Sequence, residues 1–184
     1  MKLVEFPKII KTNRLYLRAL QPSDANPLFN SINNQRGHIG RYLDWVENVK
    51  TLDDEKKFVA GRIEGAKNLN EFNWCIFKNS TNEFIGFIGT DPVSVEVFEN
   101  GRYIDWKNRT VSFAYFLDES ETGCGYMTEA LSILKDIALS MGFRRIEINS
   151  EKENIKSQKV AERCGFVHDR ADEGRMYFEK GAKQ

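Results

Sequence analysis

Two glycines one residue apart, in Thr122-Gly123-Cys124-Gly125, stand directly before a stretch with helical periodicity. Glycine lets several backbone N–H groups converge on one spot, and a helix N-terminus carries partial positive charge, so this spacing suits an anion such as a phosphate. The pattern leaves a second reading open, a glycine pair that only reverses the chain. It does exclude two phosphate-binding turns, because neither Gly-x-Gly-x-x-Gly after a first strand nor Gly-x-x-x-x-Gly-Lys-[Ser/Thr] is present. Other reactive side chains are sparse. The three cysteines, Cys75, Cys124 and Cys164, are odd in number and widely spaced, and only two histidines occur, His38 and His168. Neither a disulfide framework nor a metal site is expected. Cys124, beside the candidate phosphate N–H groups, reads either as a thiol of lowered pKa or as a structural cysteine.

The glycine turn needs a strand to deliver it and a helix to back it. Thr110 to Leu117 is strand-like, and after the turn Met127, Leu131, Leu134, Ala138 and Met141 recur at three- and four-residue spacing, with Ala130, Ile133 and Ile137 widening the stripe. Gly142 is placed to end that helix. Upstream, Arg14 to Leu20 alternates as a first strand, and a helix capped by Ser23 or Asp24 buries Ala25, Leu28, Phe29 and Ile32. A second helix starts at Thr51, whose spacing to Asp54 fits a capping box, and carries Phe58, Val59 and Ile63. Phe72 to Phe77 and Glu83 to Thr90 flank a turn-rich segment, which predicts a hairpin. A polar excursion from Asp91 to Asn108 follows, with Glu96, Glu99 and Asp105. After Gly142 come a strand from Arg144 to Asn149, a helix from Asn154 to Cys164, and a closing hairpin of Phe166 to Arg170 and Arg175 to Lys180 around Asp172-Glu-Gly174.

With 184 residues, 41% hydrophobic and 12% aromatic, the chain predicts one domain over 1–184 with one core. Zero net charge gives no reason to expect nucleic acid as a partner. No apolar run reaches signal-peptide or transmembrane length, and Met1-Lys-Leu-Val-Glu-Phe-Pro is too short and mixed for either, so a soluble, cytoplasmic protein without membrane contact is expected.

Phe113-Ala-Tyr-Phe-Leu-Asp-Glu-Ser-Glu-Thr-Gly-Cys-Gly-Tyr-Met-Thr-Glu-Ala130 resembles the acetyl-CoA-binding segment of the GNAT acetyltransferases, in the variant typical of RimJ/RimL-type ribosomal-protein N-terminal acetyltransferases. Laid on the signature Q/R-x-x-G-x-G/A, Thr122 stands at the Gln/Arg position, Gly125 at the central glycine and Met127 at the last place. Glu153-Asn-Ile-Lys-Ser-Gln-Lys-Val-Ala-Glu-Arg-Cys-Gly-Phe166 is similar to the second cofactor segment, E-N-x-x-S-x-x-V-x-E-R-x-G-F, almost position for position. Thr12 to Ala25 resembles the subgroup's entry strand and helix. Asn33 to Val46 resembles the stretch that helps wall the acceptor side of the cleft; the alternative is that Tyr42, Leu43 and Trp45 only pack on the core.

The resemblance implies an α/β fold with a mixed, strongly twisted sheet and helices on both faces, and acetyl-CoA as co-substrate. It implies that the Thr110 and Arg144 strands splay apart, leaving backbone groups near Phe116 and Leu117 for the pantetheine arm and thioester oxygen. The pyrophosphate would lie on N–H groups of Gly123, Cys124, Gly125, Tyr126, Met127 and Thr128, with Thr122 too short to help as a Gln or Arg would. Asn154 would anchor the pantetheine, cap its helix, or both. Ser157 would be the proton donor to the leaving thiolate, since the tyrosine many GNAT enzymes use falls here on Ala161. No base is evident: the acidic position common in RimJ/RimL-type chains is Ser112, and Glu96, Glu99, Asp105 and Glu147 read better as surface charges.

The expected reaction is direct attack of a primary amine on acetyl-CoA in a ternary complex. A protein N-terminal amine, with a pKa near 8 against about 10.4 for lysine, needs less help to lose its proton. A protein N-terminus, ribosomal-protein-like, is therefore the first expectation for the acceptor. A small-molecule amine (polyamine, amino acid or antibiotic) is second, and from another class comes a non-catalytic acyl-CoA-binding regulatory module. A homodimer is compatible with any of these.

Overall fold

The computed structural model describes residues 4–172 and 174–181; Met1 to Leu3, the closing-turn residue Glu173 and residues 182–184 lie outside the described residues. The entry segment contributes two strands rather than one. β1 (Ile9–Lys11) precedes β2 (Leu15–Ala19) and pairs antiparallel with it. Leu15 and Leu17 are fully buried, as the alternation predicts. Pro22–Asp24 forms a short 3-10 turn into α1 (Ala25–Asn34), followed by the single turn α2 (Arg36–Ile39). Neither expected cap serves α1: the Asp24 carboxylate is taken by Arg18 at 2.7 and 3.0 Å and by the Gln21 N–H at 2.7 Å. Ala25, Leu28 and Ile32 are buried, while Phe29 is half-buried.

α3 (Leu52–Lys67) begins with the predicted capping box: the Asp54 N–H donates to Thr51 Oγ1 at 3.2 Å, and the Thr51 N–H to Asp54 Oδ2 at 2.8 Å. β3 (Asn73–Lys78) and β4 (Phe84–Asp91) form the predicted hairpin. The stretch after Asp91 is not simply a solvated loop. It contains α4 (Val95–Glu99), and it returns Ile104 and Trp106 to the core, with the Trp106 indole N–H donating to the Leu69 carbonyl at 2.9 Å. An apolar residue flanked by polar ones at no regular period carries no signal a sequence pattern can detect.

β5 (Thr110–Leu117), α5 (Tyr126–Ser140), β6 (Arg145–Glu151) and α6 (Ile155–Arg163) follow within about two residues of their expected bounds, and β7 (Val167–Ala171) with β8 (Arg175–Gly181) closes the sheet. The eight strands run in the order β1-β2-β3-β4-β5-β6-β8-β7. Helices cover both faces. Met127, Ala130, Leu131, Leu134 and Ala138 of α5 join Trp74 and Ile76 in one cluster; Leu28, Ile32 and Val59 of α1 and α3 join Cys75 and Phe77 in the other. Successive residues of β3 therefore serve opposite sides of the sheet.

The only parallel pair among these strands is β5 with β6, and it is short. It runs from Thr110↔Arg145 to Phe113↔Ile148 and stops. Beyond that point β5 stays with β4 as far as Leu117↔Gly86, while β6 stays with β8 as far as Glu151↔Arg175. The sheet opens there into a V, and one edge of β5 from Ala114 to Leu117 has no partner strand among the described residues.

Candidate active site

The V leads into a cleft of about 680 Å³. Phe116 and Leu117 line it from β5, Thr122, Gly123, Cys124, Gly125, Tyr126, Met127 and Thr128 from the bend and first turn of α5, and Asn154 and Ser157 from the start of α6. The tertiary structure thus brings all of the site residues expected from the sequence to one place. His38, Ile39, Tyr42 and Leu43 form a further wall, and the Tyr42 hydroxyl reaches across to the Glu153 carbonyl at 3.4 Å.

At the bend, Gly123 and Gly125 both adopt φ of +81°, a region costly for residues with a Cβ. A Cβ at Gly123 would meet nothing within 4 Å, so conformation rather than space demands glycine there. Among the described residues, none of the backbone N–H groups from Gly123 to Thr128 donates to a protein acceptor. Free donors at the positive end of a 15-residue helix make an anion site. Lys156, Lys159 and Arg163 line the same cleft from α6 and add positive charge. This donor set and the unpaired β5 edge fit the phosphates and the amide-bearing arm of coenzyme A.

Thr122 turns its hydroxyl back to the Glu119 carbonyl at 2.9 Å and organises nothing beyond its own turn. The loop is braced instead from the far side of the chain. Arg14 donates through Nη1 to the Cys124 carbonyl at 2.9 Å and through Nε to Glu129 at 2.7 Å, and its guanidinium lies 4.6 Å over the Tyr126 ring. Thr12 donates to Glu129 at 2.6 Å. Burial alone would raise the Glu129 carboxyl, but these hydrogen bonds from Thr12 and Arg14 outweigh it and hold the group below its ordinary range. Arg14 and Glu129 lie 115 residues apart, so no local pattern could have paired them.

On α6, Asn154 Oδ1 accepts from the Ser157 N–H at 3.1 Å, so the helix-cap reading of Asn154 holds, and its Nδ2 is left over to face the cleft. Ser157 Oγ lies 3.0 Å from the Tyr115 hydroxyl. No local pattern singles out Tyr115, because its partner Ser157 lies 42 residues away. Burial pushes its phenol well above the ordinary value, so it stays protonated at neutral pH. Ala161 is buried in the core and does not line the cleft.

Tyr115, Phe116 and Leu43 also line a second cavity of about 320 Å³ on the α3 side of the sheet. Trp45, Phe58 and Phe87 form its aromatic wall, with Trp45 stacked on Phe58 at 6.1 Å. Tyr42 and Leu43 therefore face a cavity rather than only packing on the core. None of Glu96, Glu99, Asp105 and Glu147 lines either cavity. Glu96 and Glu99 are exposed on α4, Asp105 holds Asn108 at 2.7 and 2.9 Å, and Glu147 is buried against Arg145 at 2.5 Å. The carboxylates that do line the second cavity are Asp54 and Asp91.

A family model described as acetyltransferase (GNAT) domain matches residues 14–167. The chain belongs to the GNAT acetyltransferases. Ribosomal-protein-serine acetyltransferase of Escherichia coli (strain K12) is 29% identical over 154 residues, covering 83% of this chain and 79% of the relative. Probable N-acetyltransferase YjcK of Bacillus subtilis (strain 168) is 26% identical over 160 residues, covering 86% and 83%. Among solved structures, RimL, a ribosomal L7/L12 alpha-N-protein acetyltransferase in complex with coenzyme A, superposes with a TM-score of 0.82 at 24% identity, over 94% of this chain and 97% of that one. The microcin C7 self immunity acetyltransferase MccE in complex with acetyl-CoA and AMP gives 0.82 at 21% identity, over 96% and 98%. The mixed sheet is the GNAT fold, and this GNAT acetyltransferase takes acetyl from acetyl-CoA and delivers it to an amine.

Proposed function

We propose that the acceptor is a protein N-terminal α-amine, which enters through the smaller cavity and meets the thioester where Tyr115 and Phe116 separate the two spaces. The observation that carries this reading is the junction itself. A phosphate-binding bend lies at one end of the larger cleft, and the smaller, aromatic-walled cavity at the other suits an amine on a short length of chain. The Escherichia coli relative, a ribosomal-protein-serine acetyltransferase, supports the same class of acceptor.

The reaction runs as one displacement in a ternary complex. Free N–H groups from Gly123 to Thr128 hold the pyrophosphate, and the unpaired β5 edge near Phe116 and Leu117 orients the arm so that the thioester carbonyl faces the smaller cavity. Asn154 offers its free Nδ2 to the pantetheine amides. The neutral amine attacks the carbonyl carbon, the C–N bond forms and the C–S bond breaks. Ser157 gives a proton to the departing sulfur and regains one through Tyr115, whose hydroxyl lies 3.0 Å away.

Incubation with acetyl-CoA and peptides differing in their first residue, read by intact mass, tests the acceptor. Acetylation of free N-termini, absent when the same peptides are already blocked, is the expected result. Turnover of polyamines, amino acids or aminoglycosides with no peptide modified overturns the protein N-terminus.

A further inference from the structure

Taking the smaller cavity as the acceptor site, we infer that Asp91 is the group that receives the proton of the acceptor's ammonium.

Selection among the carboxylates is geometric. Asp54 is committed to the α3 cap, where the Thr51 N–H and hydroxyl both donate to one of its oxygens at 2.8 Å. Glu71, which does not line the cavity, is clamped by two residues that do, Arg62 at 2.6 Å and the Asn73 amide at 3.0 Å. Among the described residues Asp91 has one side-chain partner, Asn149 Nδ2, at the long distance of 3.5 Å. Among the described acids that line this cavity, Asp91 is the one least committed to protein donors.

Strand register explains how it reaches the site. Asp91 ends β4 opposite Ser112, and one step toward the thioester junction the ladder sets Gly89 opposite Ala114. Residues two apart share a face, so Phe87, Gly89 and Asp91 lie in one file beside Phe116, Ala114 and Ser112. Gly89 and Ala114 line the cavity between the aromatic end and the carboxylate, with the Asn73 side chain lying over Gly89. Near Asp91, Ser112 Oγ and Asn149 Oδ1 are buried without any hydrogen-bond partner among the described residues. The Asp91 carboxylate, the unpartnered Asn149 Oδ1 and a Ser112 hydroxyl that can accept as well as donate make an acceptor-rich spot. A primary ammonium, with three N–H donors, has the complementary chemistry.

The charges facing Asp91 are Arg62 from α3, itself paired with Glu71, and Arg175 from β8, paired with Glu151 at 3.0 Å; Asn149 approaches from β6 and Tyr103 from the segment after α4. Burial raises the Asp91 carboxyl above its ordinary range, against the lowering effects of Asn149, Arg175 and Arg62. A raised carboxyl narrows the gap to an α-amine, which makes the transfer less uphill. The ammonium gives its proton to the Asp91 carboxylate through solvent in the cavity, since Ser112, opposite Asp91, lies four strand positions, about 13 Å, from Phe116, and the freed lone pair attacks the acetyl carbon. The second nitrogen proton accounts for the one that ends on the coenzyme A thiol, and Asp91 returns its proton to solvent.

The test compares wild type with Asp91→Asn in kcat/KM for the acceptor from pH 6 to 9, alongside coenzyme A affinity by calorimetry and thermal melting. Expected is a loss of about a hundredfold at pH 7 that shrinks steadily toward pH 9, where the amine deprotonates unaided, with coenzyme A affinity within about twofold of wild type. A loss below threefold at pH 7, or one of equal size at every pH as a purely structural role would give, overturns the assignment. The profile is read on whichever acceptor the wild type turns over: activity on small amines but no peptide removes the protein N-terminus reading, and the same comparison on that amine still decides Asp91.

Discussion

The two cavities that meet at Tyr115 are built from different materials. The larger is made mostly of backbone: free N–H groups at the start of α5, an unpaired edge of β5, and two glycines at φ +81°. The smaller is made of side chains from α3, β3, β4, β5 and the segments between them, with the chemistry resting on which carboxylate is left uncommitted. A backbone site requires only that the chain bend in one way, so it leaves a compact local pattern. A side-chain site can be assembled from any residues the fold happens to bring together. The comparison teaches that the donor half of this reaction is set by chain conformation, and the acceptor half by packing.

That contrast can be broken at several points. The largest effect is expected from Gly125→Val, since a β-branched residue cannot hold φ of +81° without displacing the bend. Coenzyme A affinity, measured by calorimetry, should fall by at least about a hundredfold, whereas Cys124→Ser in the same loop should leave it within about twofold. Equal losses in both would mean that side chains, not backbone, form the phosphate site.

Next comes a feature of α3 that lies outside both cavities. Glu55, on α3, is 1% exposed, and neither carboxylate oxygen has a partner among the described residues; burial pushes it up to about 7 from 4.5. Between pH 4.5 and 7 the folded state keeps a proton that the unfolded state releases, so stability is full below pH 4.5, declines as pH rises, and levels off above about 7. The total is about 3 kcal/mol, from a shift of about 2.5 units at 1.36 kcal/mol each. Glu55→Gln should melt higher than wild type at pH 8 and equally at pH 4.5. If its melting follows the wild-type pH dependence, the buried acid is not the titrating group.

Ser157→Ala should lower kcat about tenfold to thirtyfold with little change in coenzyme A affinity, because it removes a proton donor and leaves the backbone site intact. An unchanged maximal rate discards Ser157 as donor. The smallest effect is expected from Arg14→Lys, which keeps the charge but loses the forked contact to Glu129 and the Cys124 carbonyl. The acetyl-CoA KM should rise about fivefold with kcat unchanged. A fall in kcat instead would show that the brace acts beyond the phosphate loop.

The sheet, the α5 stripe, the capping box at Thr51 and the glycine bend were legible because each is written in neighbouring residues with a period or a cap. Phe116, Leu117, the run from Thr122 to Thr128, Asn154 and Ser157 were legible as a set through the resemblance of two continuous segments to the GNAT pattern. β1 was missed because three residues carry too little alternation to stand out. Trp106 and Ile104 were missed because their burial depends on where the chain returns, not on their neighbours. Thr122 looked like a weakness in sequence because its compensation, Arg14, comes from the turn between β1 and β2, 108 positions earlier.

By itself, then, the amino-acid order determined most of the helices and strands and the glycine bend, since these follow from interactions within a few residues along the chain, while the set of residues expected around coenzyme A rests on the resemblance of two continuous segments to the GNAT pattern. Only the tertiary structure decided how far β5 and β6 run together before parting, which places Tyr115 beside Ser157, and which of the many carboxylates stands free at the acceptor cavity. Those outcomes depend on strand register and on competition for hydrogen-bond donors among residues distant in sequence, and neither is encoded in any local stretch.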